Sequence, residues 1–235
     1  MKMKDKKAEQ KTAKQKHLEQ LKAQRRKEPS LERPVAELTE KPSILIVCEG
    51  ENTEPSYFNQ FRITSAKVKS VGEGYNTISL VNRALALSQQ GNYDQVWCVF
   101  DKDDFNDNDF NSAIQIAVAN NFGVAYSNQS FEYWLILHFN DHQGGGMHRD
   151  SYNDKINEHL KPFKVTYDGN GTKLIEEDFF ELLDGIDDKA SRKRAELAID
   201  RAERNYNHFD HTNPAREESS TTVFRLVREL LKYVQ

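Results

Sequence analysis

Ile44-Leu45-Ile46-Val47-Cys48-Glu49-Gly50 and Gln95-Val96-Trp97-Cys98-Val99-Phe100-Asp101-Lys102-Asp103-Asp104 are the two stretches that decide the fold. Each starts as an apolar run rich in β-branched residues and ends abruptly in carboxylates. A strand with one wet face alternates apolar and polar residues, whereas a strand covered on both faces, as in a parallel sheet, does not. Both runs therefore predict interior strands of a parallel sheet, with Glu49 at one carboxyl end and the Asp101/Asp103 pair at the other.

The flanking sequence supplies the rest of a layered domain. Glu54-Pro55 opens a helix that runs to Phe61, with Thr53 as its N-cap. A weak strand is expected near residues 66–71. Residues 76–90 carry Ile78, Val81, Leu85 and Ala86 near helical spacing, and Gly91-Asn92 stops that helix. After the second apolar run, a helix is expected over 111–120 and a short strand over 122–126. A further helix, capped by Ser130, carries Phe131, Trp134, Leu135 and His138. This β-α-β-α-β-α-β-α order predicts an α/β fold, a mainly parallel sheet flanked by helices. The glycines at 144–146 mark a loop. Beyond it Ala195, Ala198, Ala202 and Tyr206 recur at helical spacing, as do Val223, Val227, Leu230 and Val234. The expected organisation is a basic tail and linker over 1–42, an α/β domain over 43–146, and a C-terminal helical subdomain over 147–235 packed on it.

Composition narrows the class. Of 235 residues, 37% are hydrophobic and 30% charged, enough for a core beneath a heavily charged surface. No apolar run approaches the roughly 20 residues of a membrane helix, and no apolar stretch follows the lysine-rich start, so neither a membrane span nor a secretory signal is expected. Cys48 and Cys98 both lie inside buried strands, which predicts packed thiols in a reducing cytoplasm rather than a disulfide. Residues 1–43 hold 13 Lys+Arg against 7 Asp+Glu, although the whole chain carries a net charge of −4. The body is therefore acidic, which argues against broad electrostatic coverage of nucleic acid. The basic tail reads either as an aid to holding a polyanion or as a solvated helix.

Parallel α/β sheets bind ligands outside the carboxyl ends of their strands. With the two apolar strands adjacent, Glu49, Asp101 and Asp103 converge. Clustered carboxylates repel and resist ionisation, and a hard divalent cation such as Mg²⁺ (or Mn²⁺) relieves that cost with oxygen ligands. Such an ion polarises a phosphodiester and activates water. An Asp-x-Asp pair alone reads more readily as a solvated turn than as a site; paired with Glu-Gly on an earlier strand, in this element order, it is far more specific.

Glu-Gly after a first buried strand and Asp-x-Asp after a later one resemble the Toprim signature of topoisomerases, primases and overcoming-lysogenization-defect nucleases. The chain looks closer still to the RloB-like family. The similar segments are Ile46-Val47-Cys48-Glu49-Gly50-Glu51-Asn52-Thr53-Glu54-Pro55-Ser56-Tyr57-Phe58, Phe100-Asp101-Lys102-Asp103-Asp104 and Ser127-Asn128-Gln129-Ser130-Phe131-Glu132-Tyr133-Trp134-Leu135. Asn213-Pro214 and Ser220-Thr221-Thr222-Val223 resemble the family's ending, with residues 215–219 between them. The resemblance spans roughly 43–235. It implies a Toprim-like, metal-dependent nuclease of DNA or RNA in anti-phage defence, often beside an ATPase partner. It also implies Glu49 as general acid/base or metal contact, Asp101 and Asp103 as the metal pair, and Glu54 and Glu132 as supports. Asp104 is a possible further ligand, or a solvated member of the acidic run.

Two other classes compete. One is a non-catalytic Toprim-like module that binds nucleic acid or nucleotide and regulates an ATPase partner; the chain has no Walker A motif of its own. The other is a phosphoryl-acceptor receiver domain, opposed by the Glu-Gly strand end and the missing late-strand lysine. His138 and His142, four apart, have zinc-ligand spacing, but without an evident third ligand they read as structural. His208 and His211 read as loop residues, and Trp97 and Trp134 as core anchors. Arg192, Lys193, Arg194, Arg201 and Arg204 read as the wet face of a helix in preference to a phosphate channel.

Overall fold

The computed structural model describes residues 12, 14–20, 22, 41–70, 77–103, 106–143 and 145–234. Residues 1–40 form one unit and 41–235 another. In the first, residues 14–20 are helical and exposed. The expected linker prolines Pro29 and Pro34 lie outside the described residues.

The second unit is built on a four-stranded parallel sheet of order β2-β1-β3-β4. Its strands are β1 (Ile44–Cys48), β2 (Ala66–Ser70), β3 (Gln95–Asp101) and β4 (Gly123–Ser127). β1 is buried along its whole length, as its unbroken apolar run requires. Its side chains alternate between two cores: Ile44, Ile46 and Cys48 on one face, Leu45 and Val47 on the other. Cys48 and Cys98 are free, buried thiols.

α1 (Thr53–Asn59) and α4 (Glu132–Phe139) supply residues to the first core, while α2 (Thr77–Ser88) and α3 (Asp107–Ala119) supply the second. The strand order places β2 and β3 on opposite sides of β1. The chain therefore changes direction across the sheet between β1 and β3, which is where open α/β sheets form a ligand crevice.

The expected α/β class holds, and several boundaries move for identifiable reasons. α3 starts at Asp107 rather than 111, because the Asn106 side chain caps Asn108 N–H at 2.9 Å and Asp107 and Asp109 suit the first turn. Thr53 is the first residue of α1 instead of its cap, with its hydroxyl 3.3 Å from that of Tyr167. Ser130 does not cap α4: Phe131 stands at that position, and its N–H donates to Asp101 Oδ2 at 3.0 Å. Val71 of the weak strand, Asn76 and the loop residue Gly144 lie outside the described residues.

α4 is buried from Tyr133 to His138, so a second layer must cover it. That layer comprises α5 (Tyr152–Leu160), α6 (Glu177–Asp184), α7 (Arg194–Tyr206) and α8 (Val223–Leu230). Ala198 and Ala202 of α7 are fully buried in the shared core, and their small side chains permit close helix approach. A two-stranded antiparallel hairpin, β5 (Ile186–Asp187) with β6 (Arg192–Lys193), interrupts the expected all-helical half. Asp187 accepts from the N–H groups of Lys189 and Ala190 and sets its turn.

The Ser220-Thr221-Thr222 segment closes the β4 edge. Thr221 bridges Ser127, Thr222 N–H donates to Tyr126 O at 2.8 Å, and Thr222 Oγ1 donates to Val124 O. Edge strands need such cover against unwanted pairing. Among the described residues, no helix is long and apolar enough to cross a membrane.

Candidate active site

The carboxyl ends of β1, β3 and β4 open into one cavity of about 550 Å³. It is lined by Glu49, Glu54, Asp101, Asp103 and Glu132, among others. Five of the six acidic residues singled out in the sequence therefore meet there; the sixth, Asp104, lies outside the described residues.

Adjacent strands set the geometry. The β1–β3 register pairs Cys48 with Val99, and Glu49 N–H donates to Val99 O at 2.9 Å. Glu49 Oε2 accepts from Asp101 N–H at 3.3 Å. Asp101 Oδ2 takes the N–H of Phe131 at the start of α4. The other oxygens, Glu49 Oε1 and Asp101 Oδ1, are buried with no hydrogen-bond partner among the described residues. Buried carboxylate oxygens are rarely left so, and each such case calls for an explanation.

Glu54 is buried. Its carboxylate receives its own backbone N–H and that of Gly50. A Cβ on Gly50 would lie 2.3 Å from Glu54 Oε2, so glycine is what lets this carboxylate lie against the β1 turn. Glu132 opens α4 and accepts from the Tyr167 hydroxyl at 2.8 Å.

Burial pushes Glu49 up to about 7, against the pull of the Asp101 N–H, with Asp103 and Glu54 adding to the rise. Burial raises Glu54 too, opposed by its two N–H donors and reinforced by Glu132 and Asp103. Asp101 is raised well above the usual carboxylate range, first by burial and then by Glu54, Asp103, Glu132 and Glu49. One-signed, desolvated and incompletely bonded, the cluster demands positive charge.

Oxygen-only donors with orphaned, buried oxygens fit a hard divalent cation, which Glu49, Asp101 and Asp103 would hold with Glu54 and Glu132 beside them. Among the described residues, however, no three His, Cys, Asp or Glu side chains stand together at metal-ligand spacing. Asp103 is instead ion-paired with Arg149. Lys102 reaches Asp107 at 3.3 Å.

Arg149, Tyr167, Asn170 and Lys173, all in the C-terminal half, also border the cavity or its carboxylates. No local pattern marked them. Their places depend on how the second helical layer folds back over α4.

The remaining candidates resolve as structure. His138 is buried and bonds Trp134 O, whereas His142 bonds the Tyr133 hydroxyl; each ring serves a different contact. Trp134 is fully buried. The basic strip is neither a channel nor wholly a wet face. Arg194 is buried and donates to Leu182 O, Arg201 donates to Leu137 O and His138 O, and Arg204 pairs with Asp141. Arg192 and Lys193 pair with Asp200 and Asp184.

The chain is thus a parallel α/β protein with a carboxylate-lined cavity at the switch point of its sheet. Residues 44–230 match the model of the RloB-like protein family, and the chain belongs to that family. Neither the curated proteins nor the solved structures gave a match.

Proposed function

We propose that the chain is a metal-dependent, Toprim-type nuclease that cleaves phosphodiester bonds of DNA or RNA, with a role in anti-phage defence. The observation that carries this reading is the pair of buried oxygens, Glu49 Oε1 and Asp101 Oδ1, without a partner among the described residues, at the switch between β1 and β3.

Glu49, poised at about 7, exchanges a proton near neutrality and suits general acid/base work on the attacking water or the leaving oxygen. Asp101 and Asp103 would hold Mg²⁺ or Mn²⁺. That ion, when bound, supplies charge stabilisation at the phosphorus centre and lowers the pKa of water. Glu54 shapes the cluster's charge from within, and Tyr167 orients Glu132. Lys173 at the cavity edge offers charge to an incoming phosphate backbone.

The test is cleavage of mixed DNA and RNA with Mg²⁺ or Mn²⁺. Glu49→Gln and Asp101→Asn should each lower the rate by about 10²-fold or more, with circular dichroism unchanged. Metal-dependent cleavage that persists in both folded variants would remove the mechanism.

A second reading is favoured by the Arg149–Asp103 ion pair: a non-catalytic module that binds a phosphate backbone and regulates an ATPase partner. Nucleic-acid binding without cleavage by the wild type, with and without that partner, would favour it.

Gly50 offers an independent check. Gly50→Ala should drive the Glu54 carboxylate from its N–H donors and lower cleavage by up to about 100-fold, as small misplacements in catalytic clusters do, while the sheet stays folded. An unchanged rate would show that the position of Glu54 is irrelevant.

A further inference from the structure

Arg149 belongs to a small, tightly linked unit at the cavity. Its backbone N–H donates to Gln129 Oε1 at 2.7 Å, and its guanidinium Nη1 is ion-paired with Asp103 Oδ1. Asp103 N–H in turn donates to Gln129 O at 3.0 Å. Asp103 and Gln129 both adopt positive φ, 39° and 81°, a conformation that non-glycine residues hold only when their surroundings enforce it. The loop after β3, the loop after β4 and the turn at Arg149–Ser151 therefore hold one another in place.

Within this unit, Arg149 and Asp103 are each about one-third exposed, at 35% and 34% of their side chains. Both line the cavity, so a ligand there can reach the pair. A guanidinium grips a carboxylate and a phosphate through the same planar fork. Exchanging one for the other keeps its charge-assisted hydrogen bonds. Exchange also returns a carboxylate to a cavity that already contains Glu49 and Asp101.

We infer that Arg149 is a phosphate-operated latch. Without nucleic acid it engages Asp103. A backbone phosphate entering the cavity takes over the guanidinium, and Asp103 then joins Glu49 and Asp101 to complete the cation site. This inference rests on the nuclease reading of the same cavity. It accounts for a carboxylate cluster that lacks three-ligand spacing among the described residues although its donors suit a hard cation. It also makes the two ligands cooperative: whatever factor phosphate adds to cation affinity, the cation must add to phosphate affinity. A hydrolytic centre would then assemble only on its substrate.

The test is Mn²⁺ binding to the full chain, read by calorimetry in the absence of nucleic acid. Arg149→Gln should tighten Mn²⁺ about tenfold. Lys173→Gln, which removes the same charge from the cavity edge while leaving the ion pair intact, should do so far less. Asp103→Asn should matter little in the wild-type background, yet reverse the gain in the Arg149→Gln background. Phosphorothioate DNA and RNA oligonucleotides serve as phosphate probes. Either one that binds should tighten Mn²⁺ for wild type but not for Arg149→Gln. Mn²⁺ binding that Asp101→Asn abolishes but Arg149→Gln leaves unchanged or weakens would overturn the latch and leave the metal centre standing. Failure of both oligonucleotides to bind, or binding with no effect on Mn²⁺, would overturn the phosphate exchange. No Mn²⁺ binding by any form would overturn the latch and the nuclease reading together.

Discussion

Asp101→Asn is expected to melt above the wild type at pH 8 in metal-free buffer, although it removes a residue the proposed reaction needs. Asp101 is a desolvated carboxylate among Glu49, Glu54, Asp103 and Glu132, and burial and those neighbours all oppose its ionisation. One oxygen accepts the Phe131 N–H, and the other has no partner among the described residues. Asparagine keeps an acceptor for Phe131 and replaces the orphaned oxygen with N–H donors facing neighbouring carboxylates. Relieving one buried, incompletely satisfied charge is worth roughly 1–3 kcal/mol. For a chain of this size that corresponds to about 3–10 °C. Thermal melts of both proteins at pH 8 and pH 5 provide the check. The advantage should shrink at pH 5, where the raised carboxylates of the wild type already carry protons. A variant that melts at or below the wild type at pH 8, with unchanged circular dichroism, would mean that the cluster is not under electrostatic strain. Sites built for function commonly store instability of this kind.

The sequence revealed the sheet and the acidic edge because both are written in local pattern. A parallel interior strand has to be apolar on both faces, so Ile44–Cys48 and residues 95–100 could hardly be read otherwise. Carboxylates at the ends of two such strands converge once the strands are neighbours. The partners of those carboxylates were hidden. Arg149 and Tyr167 reach the cavity only because α4, buried from Tyr133 to His138, draws α5 to α8 over it. That packing is long-range and leaves no periodic trace near residue 149 or 167. The same cause misled the reading of the basic strip. Arg194 and Arg201 have the spacing of an exposed face, yet they donate to carbonyls at the ends of neighbouring helices. The Ser130 cap failed because Asp101, thirty residues earlier, supplies the acceptor. A local rule for helix starts cannot anticipate an acceptor from another strand.

His138 should give the protein a steep acid limb of stability that His138→Leu lacks. The ring is fully buried in α4. Its Nδ1 lies 3.0 Å from Trp134 O, Nε2 has no partner among the described residues, and the indole of Trp134 packs edge-on at 4.8 Å. Burial drives its pKa down to about 3, against the pull of the Trp134 and Leu135 carbonyls and with help from the charges of Arg201 and Arg194. In the unfolded chain a histidine titrates near about 6.5. The unfolded state therefore binds the extra proton between those two values. Stability from this residue is complete above about 6.5 and falls as pH drops toward about 3, by up to about 1.4 kcal/mol per pH unit. The raised carboxylates of the cavity act in the opposite direction over part of that range, so the wild-type curve alone does not isolate the ring. The difference between wild type and His138→Leu does, because both share the cavity. Leucine fills most of the space and cannot take a proton. At pH 7.5 the variant should be the less stable, having lost the bond to Trp134 O. From pH 7.5 to 5 it should gain about 2 kcal/mol on the wild type, most of it below pH 6.5. Denaturant unfolding at pH 7.5, 6.5 and 5 measures that difference. Parallel curves would mean that His138 is already accessible to protons in the folded state, and that the α4 core is wetter than its packing implies.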